Sequence, residues 1–341
     1  MSFRDVQLGN YVVTRRSCSY LKTNLSKLIC IVSDLLSLMS ELTWLVRASL
    51  RRPGKFFSVA RGTYRDKVRK NSLELRFAGK TVQYSIPPYT KQEIVEEVIQ
   101  DLNHRGVIVK DLDANKEEFE DFFQKADYHQ FKYYYDGGKV SIIHEKAFEH
   151  YLAAKLLELS PEDIYIDVAN GDSPAPWIYQ KLYKTRSYAH DRYFKRSRGN
   201  HISGDADKID VPSSFADKIA LHCSFDHFVK NYDSKFIIEA ERILKTNGKC
   251  CILPLYLFPR VGAVTDPGYV SDWSIFEEFE NIYIDYNFKN DFSRFYNGKT
   301  FVDRILKFLP ENLAYDLIHI RNMEQVCPQC YVKFALLLTK K

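Results

Sequence analysis

Three residues within one short stretch carry groups that can take or hold a proton: His222, Asp226 and His227. They follow Phe215-Ala-Asp-Lys-Ile-Ala-Leu221, an apolar run that reads as a strand. A histidine titrates near neutral pH, so at the end of a buried strand it is suited to serve as base toward a hydroxyl, with the neighbouring carboxylate orienting it. The plainer alternative is that one histidine caps or packs the next helix. The spacing has no specific ligand signature, and no metal is expected there. Acids also close two earlier runs. Asp163-Ile-Tyr-Ile-Asp-Val-Ala-Asn-Gly-Asp172 reads as a strand at 164–168 entering a turn at Gly171, and Ser187-Tyr-Ala-His-Asp191 ends in a second acid. A third turn is Gly204-Asp-Ala-Asp207. Taken singly, each acid is an ordinary turn residue. Taken in series, they stand where open α/β sheets hold ligands, beyond the carboxyl ends of the strands.

The elements needed to position them are legible. Phe148, Tyr151, Leu152, Leu156 and Leu159 recur at helical spacing in Ala147 to Leu159, which leads into the 164–168 strand. Glu149 and His150 are expected on that helix's exposed face. A second helix, Phe236 to Leu244, is closed by Asn247-Gly248 and followed by the strand Lys249 to Leu255. Strands alternating with helices imply a mainly parallel sheet. Tyr315-Asp-Leu-Ile-His-Ile320 and Tyr331 to Leu338 read as a hairpin around Cys327-Pro-Gln-Cys330.

On these residues, Glu162 to Leu255 resembles the core of class I S-adenosylmethionine-dependent methyltransferases, and it looks closest to bacterial enzymes of surface-polysaccharide biosynthesis. The family's first motif is usually richer in glycine than residues 169–176 here. The resemblance implies an α/β fold, a Rossmann-like methyltransferase sheet with an antiparallel terminal strand. It also implies S-adenosylmethionine as cofactor. Asp167, Ala169 and Gly171 would lie beside the donor's methionine part, Asp191 at the ribose hydroxyls, and Asp205 and Ala206 beside the adenine. Glu149 and His150 could then touch the donor's polar end.

Composition places the chain among globular proteins, with 45% hydrophobic and 27% charged residues. The net charge of +5 is unevenly spread: residues 1–80 carry 16 Lys/Arg and 5 Asp/Glu, and the remainder carries 33 and 39. No nucleic-acid motif accompanies the basic segment, and no nucleic-acid partner is expected. Leu21, Leu25, Leu28, Val32, Leu35, Met39, Leu42 and Val46 form a heptad seam, stopped by Pro53-Gly54. Residues 21–46 therefore suit a homodimer, a peripheral membrane contact assisted by the basic run from Arg47 to Lys70, or packing on the chain's own domain. The seven cysteines include no evident disulfide framework and fit a reducing, cytoplasmic setting, with the inner-membrane surface as the peripheral option. Cys327-Pro-Gln-Cys330 has no second pair to complete a structural zinc site and reads first as a turn.

The expected organisation is an amphipathic helical arm at 1–55, an α+β cap or substrate region at 56–145, and a methyltransferase domain at 146–341 with an insertion at 258–310. Within the cap, 72–88 reads as a hairpin of Ser72–Phe77 with Thr81–Ile86. Thr90-Lys-Gln-Glu93 reads as a capping box, Val107–Val109 as a strand, Lys116 to Lys125 as a helix, and Tyr133–Gly138 as an aromatic strand and turn. The functional expectation is O-methylation of a sugar or glycan. A small-molecule methyltransferase and a non-catalytic scaffold of the same shape are the alternatives.

Overall fold

The computed structural model describes residue 70, residues 72–131 and residues 140–341, with backbone alone at 140–142. The expected arm at 1–55 and the Tyr133–Gly138 segment lie outside the described residues. The chain divides into two units at Ala78/Gly79; the architecture below is that of the second.

Its strands are β1 (Thr81–Gln83), β2 (Val109–Leu112), β3 (Ile164–Val168), β4 (Arg186–Asp191), β5 (His201–Ser203), β6 (Ala216–His222), β7 (Leu244–Leu253), β8 (Gly262–Thr265), β9 (Asn281–Ile284), β10 (Ser293–Phe295), β11 (Leu313–Ile320) and β12 (Phe334–Lys340). Its α-helices are α1 (Gln92–His104), α2 (Lys116–Ala126), α3 (Val140–Leu157), α4 (Ala175–Tyr183), α5 (Tyr232–Ile243), α6 (Gly298–Arg304) and α7 (Met323–Val326). Eight strands form one sheet in the order β2-β11-β12-β7-β6-β3-β4-β5. All its pairings are parallel except the two made by β12. This is the mainly parallel sheet with an antiparallel last strand that the resemblance implies.

Strand periodicity sorts the core into two layers, because successive side chains point to opposite faces. Ile166 and Val168 of β3, Cys250 and Ile252 of β7, and Leu336 and Leu338 of β12 join one cluster, with residues from α1, α5 and α6. Tyr165, Cys251, Leu253, Ala335 and Leu337 join the other, with residues from α2, α3 and α4. Covered on both faces, the sheet leaves the carboxyl ends of its parallel strands as the place for loops that carry chemistry.

The insertion builds a second sheet, β1-β9-β8-β10, parallel except for β8 with β10. Here the structure corrects the expected hairpin at 72–88. Residues 72–76 are helical, and β1 pairs in parallel with β9 of the insertion, a partner two hundred residues downstream that local alternation cannot reveal. Gly262 is required in that sheet, since a Cβ there would stand 2.5 Å from the Tyr283 ring. The capping box at Thr90 does not form: α1 begins after Lys91, which makes no side-chain cap bond. The strand expected at 107–109 is β2, two residues later, and it extends the main sheet beside β11. Residues 79–131, placed by the sequence reading in a cap, thus supply strands to both sheets and α1 and α2 to the two core layers.

Candidate functional site

The turn after β3 is shaped by its own polar groups. Ala169, Gly171 and Asp172 all have left-handed backbone, with φ of 52°, 55° and 65°. Gly171 supplies one of these without strain, and a Cβ there would meet nothing within 4 Å, so the space beside it is open. Asn170 closes the turn: its Nδ2 donates to Asp167 Oδ2 at 2.6 Å and to the Ser173 carbonyl at 3.0 Å. Two acceptors are left over. Asp167 Oδ1 and Asn170 Oδ1 are buried and make no hydrogen bond. Burial pushes the Asp167 carboxyl up to about 8, against the opposing pull of Asn170 and Tyr165, with Asp191 adding to the rise.

Asp191, at the end of β4, is buried and engaged at both oxygens. Gly171 N–H donates to Oδ2 and Tyr193 N–H to Oδ1, each at 2.9 Å. The structure therefore joins Asp167, Ala169, Gly171 and Asp191 in one corner. Asp205 is farther out, its half-exposed carboxylate paired with Arg192 at 3.4 Å, and Ala206 packs half-buried on the first core layer.

His222 ends β6 and Asp226 and His227 follow it, and the three separate into two environments. His222 turns toward the first corner: its Nε2 lies 3.3 Å from Tyr165 Oη and 3.8 Å from Asp167 Oδ1, and its ring packs edge-on to His150 at 4.7 Å. Burial pulls it down to about 3, and the ammonium of Lys146 acts in the same direction, so the ring is neutral at physiological pH. Asp226 and His227 face the insertion instead. Asp226 Oδ2 accepts from Ser293 Oγ at 2.6 Å and lies 3.6 Å from His227 Nε2. His227 Nδ1 donates to the Phe292 carbonyl. Its side chain is 30% exposed, against 3% for His222.

A further polar cluster, absent from the sequence reading, lies between α3, the end of β6 and the start of β12. Lys146 Nζ donates to Glu149 at 3.0 Å, to Cys223 Sγ at 2.7 Å and to Tyr331 Oη at 2.7 Å. Glu149 Oε1 also accepts from Tyr331 Oη at 2.9 Å and from Cys223 Sγ at 3.2 Å. Cys223 has left-handed backbone, φ 50°, and burial pushes its thiol up to about 12. Tyr256 stacks on Tyr331 at 6.1 Å and meets Tyr89 at 5.4 Å and Phe295 at 5.6 Å, giving the cluster an aromatic wall.

Glu149 and His150 are fully buried, which corrects their expected place on an exposed helix face. His150 Nδ1 bonds Tyr128 Oη at 2.6 Å and Nε2 bonds Ser173 Oγ at 3.2 Å, tying α3 to the turn after β3. The available signal was that Ala147, Phe148, Tyr151, Leu152, Ala153 and Ala154 flank the pair in the sequence: a helix apolar nearly all round must bury and pair its polar residues. Among the described residues no group of three or more His, Cys, Asp or Glu is placed to hold a metal, and no helix is long and apolar enough to cross a membrane.

The strand order and the antiparallel β12 define a Rossmann-like methyltransferase fold. No protein-family model matches the chain, and no curated protein matches it. Among solved structures, a chain from the complex of a Haloferax volcanii methyltransferase activator with a methyltransferase aligns at TM-score 0.40 and 12% identity, over 64% of this chain and 96% of that one. The Burkholderia thailandensis 1,6-didemethyltoxoflavin-N1-methyltransferase, holding 1,6-didemethyltoxoflavin and S-adenosylhomocysteine, aligns at 0.36 and 12%, over 67% and 91%. A SAM-dependent methyltransferase of Aquifex aeolicus aligns at 0.35 and 14%, over 63% and 97%. These likenesses concern fold alone, and the fold itself is read from the strand order.

Proposed function

We propose that the chain is an S-adenosylmethionine-dependent methyltransferase whose donor sits in the corner between β3 and β4. The observation that carries this reading is the pair of buried, unpartnered acceptors, Asp167 Oδ1 and Asn170 Oδ1, beside the open space at Gly171. Buried acceptors without donors are costly and uncommon, and an ammonium group would satisfy both. Asp191 keeps lone pairs for two ribose hydroxyls beyond its two backbone donors. Asp205 and Ala206 stand on the next turn, where the adenine would lie. Bound there, the donor supplies an electrophilic methyl group. The chain's own residues hold it, and the sheet ends exclude water from one side.

The acceptor side is assigned to the aromatic wall of Tyr89, Tyr256, Phe295 and Tyr331, next to Lys146 and Glu149. Ring faces beside hydroxyl and charged groups suit a sugar, nucleotide-linked or lipid-linked, whose hydroxyl receives the methyl. Of His222, Asp226 and His227, His227 is the one assigned to take the acceptor's proton. Its ring is the most accessible, while His222 is buried and a weak base and Asp226 is held by Ser293. Asp226 orients it.

Calorimetric titration with S-adenosylhomocysteine tests the donor site. Binding that Asp191→Ala weakens supports the reading, and no binding by the folded chain returns it to a non-catalytic scaffold. A panel of sugar and small-molecule acceptors then separates the two enzyme readings. His227→Asn should lower kcat while leaving donor affinity intact.

A further inference from the structure

Cys327 and Cys330 have no part in the site above, yet their side chains are in direct contact. Their sulfurs are 2.9 Å apart, against about 2.05 Å for a covalent sulfur–sulfur bond. Both are free thiols and both are buried. The turn that holds them follows α7 and is closed by Cys330 N–H donating to the Cys327 carbonyl at 2.9 Å. The surroundings of the two thiols differ. Cys327 Sγ lies 3.7 Å from the His144 carbonyl and 3.9 Å from Gln329 Oε1. His144 and Gln329 both line a cavity of about 260 Å³, whose other walls include Phe119, Phe123, Val326 and Pro328. Cys330 Sγ faces the Glu145 carbonyl instead, at 3.8 Å. Cys327 is therefore in contact with two residues that line this space, and Cys330 is in contact with Cys327.

We propose that Cys327 and Cys330 are a dithiol–disulfide couple, with Cys327 the entry thiol and Cys330 the resolving one, and small-molecule disulfides of the glutathione type as oxidant. The Cys327 thiolate attacks one sulfur of oxidised glutathione, forming a mixed disulfide and expelling one glutathione thiolate. Cys330 gives up its proton to that thiolate and attacks the Cys327 sulfur, so the Cys327–Cys330 bond forms and the second glutathione leaves as thiolate. Two protein thiols are oxidised and one glutathione disulfide is reduced to two thiols. The division of roles agrees with the electrostatics. The S–H of Cys330 donates to Cys327 and holds its thiol below the ordinary range, while burial raises Cys330. The pair is one peptide bond from Tyr331, whose hydroxyl donates to Glu149.

The test uses the full chain, equilibrated without oxygen over a series of reduced-to-oxidised glutathione ratios, quenched in acid and labelled with a maleimide. Peptide mass spectrometry of the segment containing 327–330 should show the two labels lost together, with an internal disulfide in their place. The transition should span about a hundredfold change in ratio. With Cys330→Ser the reaction should stop at glutathione attached to Cys327, and with Cys327→Ser Cys330 should stay unmodified. The proposal is overturned if both thiols of the unaltered chain remain labelled at every ratio. It is also overturned if glutathione accumulates on Cys330, or if the pair is protected by a metal that a chelator removes. The unaltered chain gives the first readout, so a variant that fails to fold does not remove the test, and none of these outcomes depends on donor binding.

Discussion

The backbone N–H of Gly171 donates to Asp191 Oδ2 at 2.9 Å, so the turn after β3 is fastened to the acid that ends β4. Oδ1 of the same carboxylate accepts from Tyr193 N–H. Asp191 is thus a structural clamp before it is anything else, and its replacement has two separable consequences. Asp191→Ala leaves two donors without an acceptor and should cost about 1–3 kcal/mol of stability, read as a lower urea midpoint at unchanged slope. Asp191→Asn keeps one acceptor and should recover part of that. If the carboxylate also holds the donor's ribose, both variants should weaken S-adenosylhomocysteine by about tenfold or more. Unchanged affinity in folded Asp191→Asn would assign the residue to the clamp alone.

Asp167 gives the fold a pH signature. Its carboxyl is held at about 8 by burial, well above its ordinary value of 3.8. Between those values the folded chain keeps a proton that the unfolded chain has released. Stability should therefore fall as pH rises from about 4 to about 8, at up to about 1.4 kcal/mol per pH unit from this group. Asp167→Asn should remove that slope, seen as a smaller difference between melting temperatures at pH 5 and pH 8 than in the unaltered chain. An ammonium arriving beside Oδ1 favours the charged form, so donor binding at pH 7 should release a proton. Titration in buffers of different ionisation enthalpy measures it, and Asp167→Asn should abolish it.

How far the sequence carried this picture depends on distance along the chain. The β3 strand at 164–168 is found as read, and β4 and β6 differ from expectation by one residue at their ends, because each is written in local periodicity; Asn247-Gly248, read as the turn that closes α5, lies instead inside β7, which begins at Leu244 directly after the helix. The second sheet was not legible, since β1 and β9 meet only in three dimensions. The corner acids Asp167 and Asp191 could be placed from their strand ends. The Lys146–Glu149–Tyr331 cluster could not, because Tyr331 is far along the chain from α3 and the i,i+3 pair alone suggests a solvated helix face. His222, Asp226 and His227 are close in the chain, yet a strand end and a short helical turn aim them at different neighbours.

The Glu149 cluster should behave as a coupled unit. Glu149 is fully buried and accepts from Lys146, Tyr331 and Cys223. Removing its charge leaves the Lys146 ammonium, itself only 17% exposed, short of its nearest counter-charge. Glu149→Gln should cost about 3–5 kcal/mol. The pair Lys146→Met and Glu149→Leu together should cost less than the sum of the two single changes, giving a coupling of about 1–3 kcal/mol in a double-mutant cycle. Additive costs would mean that the two side chains stabilise the fold independently.

Asp233 pins the insertion to α5. Arg304 donates to it through Nε at 2.8 Å and through a terminal nitrogen at 2.9 Å, and Tyr296 Oη donates at 2.9 Å. Arg294 Nε stands 3.8 Å away, while its guanidinium is sandwiched against Phe279 and Phe292 and donates to Glu278 at 2.9 Å. Both Asp233 and Arg294 are buried, so Asp233→Ala leaves one buried cation and one half-buried one facing a cavity. The expected loss is about 3–5 kcal/mol, a large share of the roughly 5–15 kcal/mol that holds an ordinary domain folded. Arg304→Lys tests the geometry separately from the charge. It keeps the cation but loses the two-point contact, and should cost about 1–2 kcal/mol. Limited proteolysis should then cut first within 258–310, the region that Asp233 fastens, while the strands of the main sheet stay protected. Early cleavage within 186–222 instead would show that the ion cluster supports the whole domain rather than the insertion.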